Sequence, residues 1–376
     1  MGFSQGDLRR NAFMLNGSFA HKGYDWWWHN FTGVNVKTGE KKSFFIEVFT
    51  CNPALGGKEA ILGQLPENQK AGRRPSYVLV KAGAWGKDHA QLHRFFPWSE
   101  VNLHKKAPYS IAMDDCFASD FELRGSVFVS PEEAAAHPEW MCDAGSMSWN
   151  LQLNKKIAFN VGYGADKTFR DVKAFEMFWH AEGIKTAYSG EVHYNGELYL
   201  VKPGSSYGYA DKNWGRDFTS PWVWISSNCM KSKLTGRRLH NSALEIGGGN
   251  PGLHFVHFGR KLLGGLYYEG KEYEFNFSKF WTLSRTRFEH RETEDEIRWY
   301  IRQETLRYVM ITCVRCKKDE MILANYESPD GKKRHNRLLN GGTGIGNVRL
   351  YRKNHGNLIL IDDIAMKHVG CEYGEY

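Results

Sequence analysis

The sequence predicts an all-β protein, built as two barrel-like or sandwich-like halves packed together with few short helices. Three observations predict it. Apolar residues recur in short alternating runs broken by Gly, Asn, Asp and Pro. Aromatic residues make up 14% of the chain, with 13 Trp and 39 Gly, a mixture that favours strands, turns and an aromatic-lined interior. At 376 residues the chain also exceeds the size at which one hydrophobic core usually stops growing.

Residues 1–20 read as an N-terminal arm, 21–205 as a first β domain and 206–376 as a second, barrel-forming one. In the first domain, strand patterns lie at 43–49, 76–80 and 121–129. The hairpin signal is clearest where 190–194 and 197–201 flank Asn195-Gly196, the dipeptide preferred in type I′ turns. A second series follows at 222–228, 242–246, 263–268, 272–277, 281–289, 297–301, 306–313, 320–325, 348–351 and 358–364, enough strands to close a barrel. Short helices are expected at 130–137, where Ser130 precedes Pro131 as an N-cap, and at 167–172. The loop 203–220 is the expected seam, and its aromatic content marks it as packed.

Composition narrows the function classes. The net charge of +8 comes from Lys and Arg interleaved with Asp and Glu, and no nucleic-acid motif accompanies it, so no nucleic-acid partner is expected. A weakly anionic ligand or membrane surface fits the charge as well. Seven scattered Cys, an odd number, argue against a disulfide framework and for a reducing cytosol. Cys313 and Cys316 form a CxxC inside a strand with no second ligand pair nearby, so no metal site is expected. Residues 1–16 lack a signal-peptide pattern, and no run of about 18 apolar residues occurs. The expected location is cytoplasmic, with any membrane contact peripheral.

The densest constellation is Tyr207-Gly208-Tyr209-Ala210-Asp211-Lys212-Asn213-Trp214-Gly215, followed by Trp222, Trp224 and Asn228. It offers an acid, a cation, an amide and several indoles. The structural alternative places Asp211 and Asn213 in a tight turn with Trp214 plugging a core. A second cluster, Trp26-Trp27-Trp28-His29, puts Trp26 and Trp28 on one strand face and Trp27 on the other. From pattern alone it reads first as a core strand buried on both faces.

The segment from Tyr209 to Gly215, with Pro221-Trp222-Val223-Trp224 and Asn228 after it, resembles the signature of the tocopherol cyclase family. Related β-barrel enzymes, carotenoid hydratases and decalin-forming Diels–Alderases, share weaker forms. Lys22 to Trp28 is similar to the family's early Gly-Trp-Tyr strand with altered spacing, and Cys371-Glu372-Tyr373-Gly374-Glu375 resembles its ending. The resemblance implies a pair of lipocalin-like or sandwich-like domains. It also implies cyclisation, hydration or isomerisation of a prenylated or polyunsaturated hydrophobic small molecule without a cofactor.

Such chemistry needs a proton donor kept neutral by burial, aromatic faces that tolerate positive charge and a cavity that folds the substrate. Asp211 is the first choice for the acid, with Lys212 or Asn213 orienting the substrate oxygen. Tyr209, Trp214, Trp222, Trp224, Asn228, Trp26 and Trp28 are the expected substrate-binding residues. Lys212 would lower the Asp211 pKa if the two side chains met. Reserve donors are therefore His180, with Glu182 on the same face, and His29, while alternation points the side chains of the Asp114-Asp115 pair apart and favours surface roles for them. The Gly341 to Gly346 and Gly247 to Gly249 stretches precede no helix, so they are expected as turns or close-packed corners rather than phosphate loops. Two other classes stay open: a non-catalytic carrier of a lipid, terpenoid or tetrapyrrole, and a glycan-active or glycan-binding protein.

Overall fold

A computed structural model describes residues 3–159, 177–249, 252–253, 256–257, 261–277, 282–332 and 334–375. The helix expected at 167–172 lies outside them. Two antiparallel sheets carry almost all the regular structure, so the fold is all-β as the alternation implied.

The first sheet contains β1 (Tyr24–Asn35), β2 (Lys41–Cys51), β3 (Tyr77–Trp85), β4 (Ala90–Phe96), β5 (Asn102–His104) and β6 (Ser110–Met113). It continues with β7 (Cys116–Ser119), β8 (Glu122–Val129), β9 (Gly145–Phe159), β10 (Met177–Tyr194), β11 (Glu197–Val201) and β12 (Gly208–Gly215). Its order is β4-β3-β2-β1-β11-β10-β9-β8-β7-β6-β5, with β12 inserted between β1 and β10. The second sheet holds β13 (Trp222–Ser227), β14 (Cys229–Ser232) and β15 (Ala243–Gly249). After a two-stranded ribbon, β16 (Gly252–Leu253) with β17 (Val256–His257), come β18 (Lys261–Tyr268), β19 (Lys271–Phe275), β20 (Arg285–Glu292) and β21 (Glu296–Glu304). It ends with β22 (Tyr308–Lys317), β23 (Ile322–Glu327), β24 (Arg334–Asn354) and β25 (Asn357–Gly374).

The chain changes sheet between Gly215 and Trp222. That change lies at the end of the expected seam 203–220, but the segment is not all loop: it contains β12, which pairs with β1 and β10 of the first sheet, beyond the boundary drawn at 205/206. Alternation alone could not show this, since β12 is buried on both faces and reads like a strand of either half.

Local chemistry explains the connections. Asn195 and Gly196 both take positive φ, 48° and 82°, as a type I′ turn between β10 and β11 requires. Ser130 caps the helix Pro131–Ala136 and exchanges a capping box with Glu133. The N-terminal arm forms the helix Gln5–Arg10 and is held inside the first sheet: Asn11 donates to Asp120 at 2.8 Å, and its backbone carbonyl accepts the Trp27 indole. Among the described residues no helix is long and apolar enough to cross a membrane.

β1 is buried along nearly its whole length. One face looks into the first sheet's interior and the other meets the second sheet, so Trp27 and Trp28 are buried on opposite faces and Trp26 is partly buried beside Trp28. Polar contacts pin the two sheets together: Trp85 donates to Asn340 at 2.8 Å, Tyr326 to Glu47 at 3.0 Å and Gln91 to the Leu323 carbonyl at 2.8 Å. The glycine-rich stretches turn out to be strand interiors. A Cβ on Gly342 would lie 2.1 Å from the Trp85 ring, and one on Gly247 would lie 2.9 Å from that of Trp179, so each glycine makes room for an indole.

Candidate functional site

Register assembles the site. In the β1–β12 pair Trp28 stands opposite Asp211 and Trp26 opposite Asn213, so these four side chains share one face, toward the second sheet. On β10, Trp179 stands opposite Asn213 and joins that face. From the second sheet, β13 contributes Trp222 and Trp224, β15 Glu245 and β25 Glu372. Between the sheets lies a cavity of about 30 Å³, lined by Trp26, Trp28 and Asp211 on one side and Trp222, Trp224 and Glu372 on the other. Phe218, from the connection between sheets, and Tyr326 complete its aromatic wall.

Asp211 is buried, and its two oxygens differ. Oδ2 accepts the Trp179 indole N–H at 2.9 Å and the Tyr209 hydroxyl at 3.0 Å. Among the described residues Oδ1 has no hydrogen-bond partner. Burial pushes the Asp211 pKa from 3.8 up to about 8, with the Glu372 charge adding to the rise. The Trp179 and Tyr209 hydrogen bonds, and the neighbouring Trp26 indole, act the other way without offsetting burial.

Proton counting places a further proton in this cluster. The Tyr209 hydroxyl also lies 3.0 Å from Glu245 Oε1, and Trp224 donates to both, at 3.2 Å and 2.9 Å. One phenol proton serves only one of two carboxylates, so at least one carboxyl must carry its own proton. Burial holds Glu245 well above the usual carboxylate range as well. With the Tyr209 proton given to Asp211 Oδ2, the counted proton is that of Glu245, and the proton that burial keeps on Asp211 goes to Oδ1, because Oδ2 already accepts from two donors.

Glu372 accepts from Trp222 at 2.7 Å and from the Asn340 amide, and burial raises it to about 7. Behind Tyr326, Glu47 and Lys81 form a fully buried ion pair at 3.1 Å, with the ammonium 3.7 Å from the Tyr326 ring centre.

Several sequence-level candidates go elsewhere. Lys212 points to the opposite face, into the first sheet's interior, where it pairs with Asp25 and lies 4.0 Å from the Trp27 ring centre. It therefore neither meets Asp211 nor orients a substrate in this cavity, and strand alternation is the reason. Trp214 shares that inward face and stacks on Phe178 at 5.5 Å, away from the cavity. Asn213 is on the correct face but is engaged by the Tyr24 hydroxyl at 2.8 Å. Asn228 donates to the carbonyls of Ile184 and Gly208, which makes it a bridge between sheets rather than part of this cavity wall.

His180 also faces inward. Its ring nitrogens meet Asn11 and Asp7 at 3.0 and 3.2 Å, and burial lowers its pKa to about 4. The expected pairing with Glu182 is absent because Glu182 binds Lys155 at 2.7 Å. His29 meets the Tyr188 hydroxyl at 2.8 Å, and Asp114 and Asp115 both grip Arg94 at the surface.

Trp179, Glu245, Phe218 and Tyr326 carry much of the site and were not singled out from sequence. A lone Glu in the apolar run Ala243 to Ile246 was a readable signal of a buried carboxyl. Glu372 had been noticed only as part of the terminal motif.

Comparison with known proteins gives a consistent family. The family described as tocopherol cyclase-like matches residues 139–373. No curated protein matches the chain. Among solved structures, a candidate AttH from Nitrosomonas europaea is similar at 13% identity and a TM-score of 0.46, covering 94% of this chain and 92% of that one. Kievitone hydratase from Nectria haematococca is similar at 8% identity and 0.43, covering 94% and 90%. CghA with Sch210972 is similar at 10% identity and 0.43, covering 94% and 89%.

Proposed function

The chain belongs to the tocopherol cyclase-like family, and from that premise we propose that it cyclises, hydrates or isomerises a prenylated or polyunsaturated hydrophobic small molecule by acid catalysis at Asp211. One observation carries the reading. A carboxyl raised to about 8 presents an unpartnered oxygen at an aromatic-walled cavity between the sheets.

The chemistry follows from those parts. Neutral Asp211 hands its Oδ1 proton to an alkene carbon, and the π pair becomes the new C–H bond, leaving a tertiary cation. The carboxylate left behind keeps the Trp179 and Tyr209 hydrogen bonds on Oδ2, which stabilise its new charge. The faces of Trp26, Trp28, Trp222 and Trp224 offset the positive charge on carbon. An oxygen of the substrate, or water, then captures the cation and returns a proton to Asp211. A cavity of about 30 Å³ admits a water but no prenyl chain, so substrate entry requires the aromatic walls to separate.

The test incubates the protein with a panel of prenylated quinols and polyenes and follows products by mass spectrometry. A mass-neutral or water-adding conversion that falls at least ~100-fold in D211N is the expected result. Conversion that survives D211N overturns the role of Asp211. Tight binding with every ligand recovered unchanged overturns catalysis and favours a carrier.

A further inference from the structure

A second pocket, of about 60 Å³, opens where the two sheets meet, lined by Lys185, Thr186 and Gly208 of the first sheet together with Asn228 and Arg238. Gly208 lies three residues before Asp211 on β12, ~10 Å along the strand. The pocket is distinct from the aromatic cavity and shares none of its lining residues.

Its charge is one-sided. Lys156, Lys185, Arg238 and His240 line it, and no Asp or Glu does. Lys41 lies 5.3 Å from the centre of the Tyr207 ring, which also lines the pocket. Lys185 is half-buried, and among the described residues it makes no ion pair. Burial holds its pKa below that of an ordinary lysine, with Glu269 acting on it from outside the lining. Glu269 Oε1 is already engaged, accepting from the Asn241 N–H and the Ser242 hydroxyl at 3.0 and 2.9 Å. Arg238 gives one N–H to the Tyr207 hydroxyl at 2.8 Å, and among the described residues its other guanidinium donors make no hydrogen bond.

Gathering Lys156, Lys185 and Arg238 in one concave space raises their mutual repulsion, and an anion seated between them relieves it. The space itself sets the size: at ~15 Å³ per water on this measure it holds about four waters, or one phosphate group. We infer that this pocket binds a phosphate group, bridged by Lys185 from the first sheet and Arg238 from the connection between β14 and β15. Such a ligand ties the first sheet to the β14–β15 connection beside the strand that carries Asp211. The inference does not depend on the reaction assigned to Asp211.

Two sources present this chemistry, free phosphate and the headgroup of an anionic lipid. Calorimetric titration with inorganic phosphate at low ionic strength, and sedimentation with vesicles of phosphatidate in phosphatidylcholine, distinguish them. Binding in either assay, weakened about tenfold or more in K185Q and in R238Q, supports the site. Binding only to the vesicles assigns the ligand as a lipid headgroup, and binding to phosphate alone assigns a free anion. Arg238 is exposed, so R238Q should keep the wild-type melting temperature and report on binding alone. No binding of either probe up to ~10 mM phosphate, or equal binding by wild type and both variants, overturns it.

Discussion

The hydroxyl of Tyr209 stands 3.0 Å from Asp211 Oδ2, so the carboxyl assigned as the acid is held by a residue two positions earlier on the same strand face. The same hydroxyl reaches Glu245 across the sheet junction, which couples two buried carboxyls through one phenol. Four consequences can be measured.

Asp211 should make the protein less stable as pH rises. Its pKa is raised from 3.8 to about 8, so the folded chain keeps a proton that the unfolded chain has lost between those values. The resulting stabilisation is complete below about 3.8, fades as pH rises and is gone above about 8. D211N removes this dependence. At pH ~9 it should be more stable than wild type by on the order of a few kcal/mol, with the gap shrinking toward acid pH. Thermal unfolding at several pH values measures the gap, and a gap independent of pH would mean that Asp211 is ionised in the folded state.

Turnover should require the protonated acid and fall as pH passes about 8. Two substitutions should move that limb in opposite directions. The Tyr209 hydrogen bond lowers the Asp211 pKa, so Y209F should shift the limb to higher pH. The Glu372 charge raises it, so E372Q should shift the limb to lower pH. Shifts of ~0.5–1 unit are expected, read from pH–rate profiles of the three proteins. Shifts in the same direction would remove Asp211 as the titrating group.

Lys212 should matter to folding and not to chemistry. K212M strands the Asp25 carboxyl without its partner and should cost about 3–5 kcal/mol in urea unfolding. D25N/K212M should recover part of that loss. Turnover per folded molecule should stay close to wild type in the double variant. A selective loss of turnover with stability restored would bring Lys212 back to the site.

Gly342 and Gly247 should resist substitution in proportion to the contact each makes. A Cβ at Gly342 would overlap the Trp85 ring at 2.1 Å, deeper than the 2.9 Å contact at Gly247 with Trp179. G342A should therefore cost more than G247A, both in the range of ~1–3 kcal/mol or above. G247A should also disturb Asp211, because Trp179 is its hydrogen-bond donor. Urea unfolding ranks the two, and the pH–rate profile of G247A reports on Asp211. Equal costs would show that Trp85 yields as easily as Trp179.

Much was legible from the residues in order. Period-2 alternation gave the strands, Asn195-Gly196 the turn and Ser130-Pro131 the helix start, because each depends on the backbone preferences of neighbours. Alternation also sorted Trp26 and Trp28 from Trp27. The same rule applied to β12 would have separated Asp211 from Lys212, and adjacency in sequence made them look like partners.

What the sequence by itself determined is the all-β architecture, the separation of faces along each strand and a family signature centred on Asp211. Only the tertiary structure decided which covered face of β12 is the cavity and which is the ionic interior, since a strand buried on both sides has no polar face to announce its orientation. It also brought Glu245 and Glu372 to Asp211 from strands 34 and 161 residues away, counting from 211 to 245 and to 372. The pKa of Asp211 arises from that assembly, because desolvation comes from whatever packs over a group in space and is invisible to its neighbours in the chain.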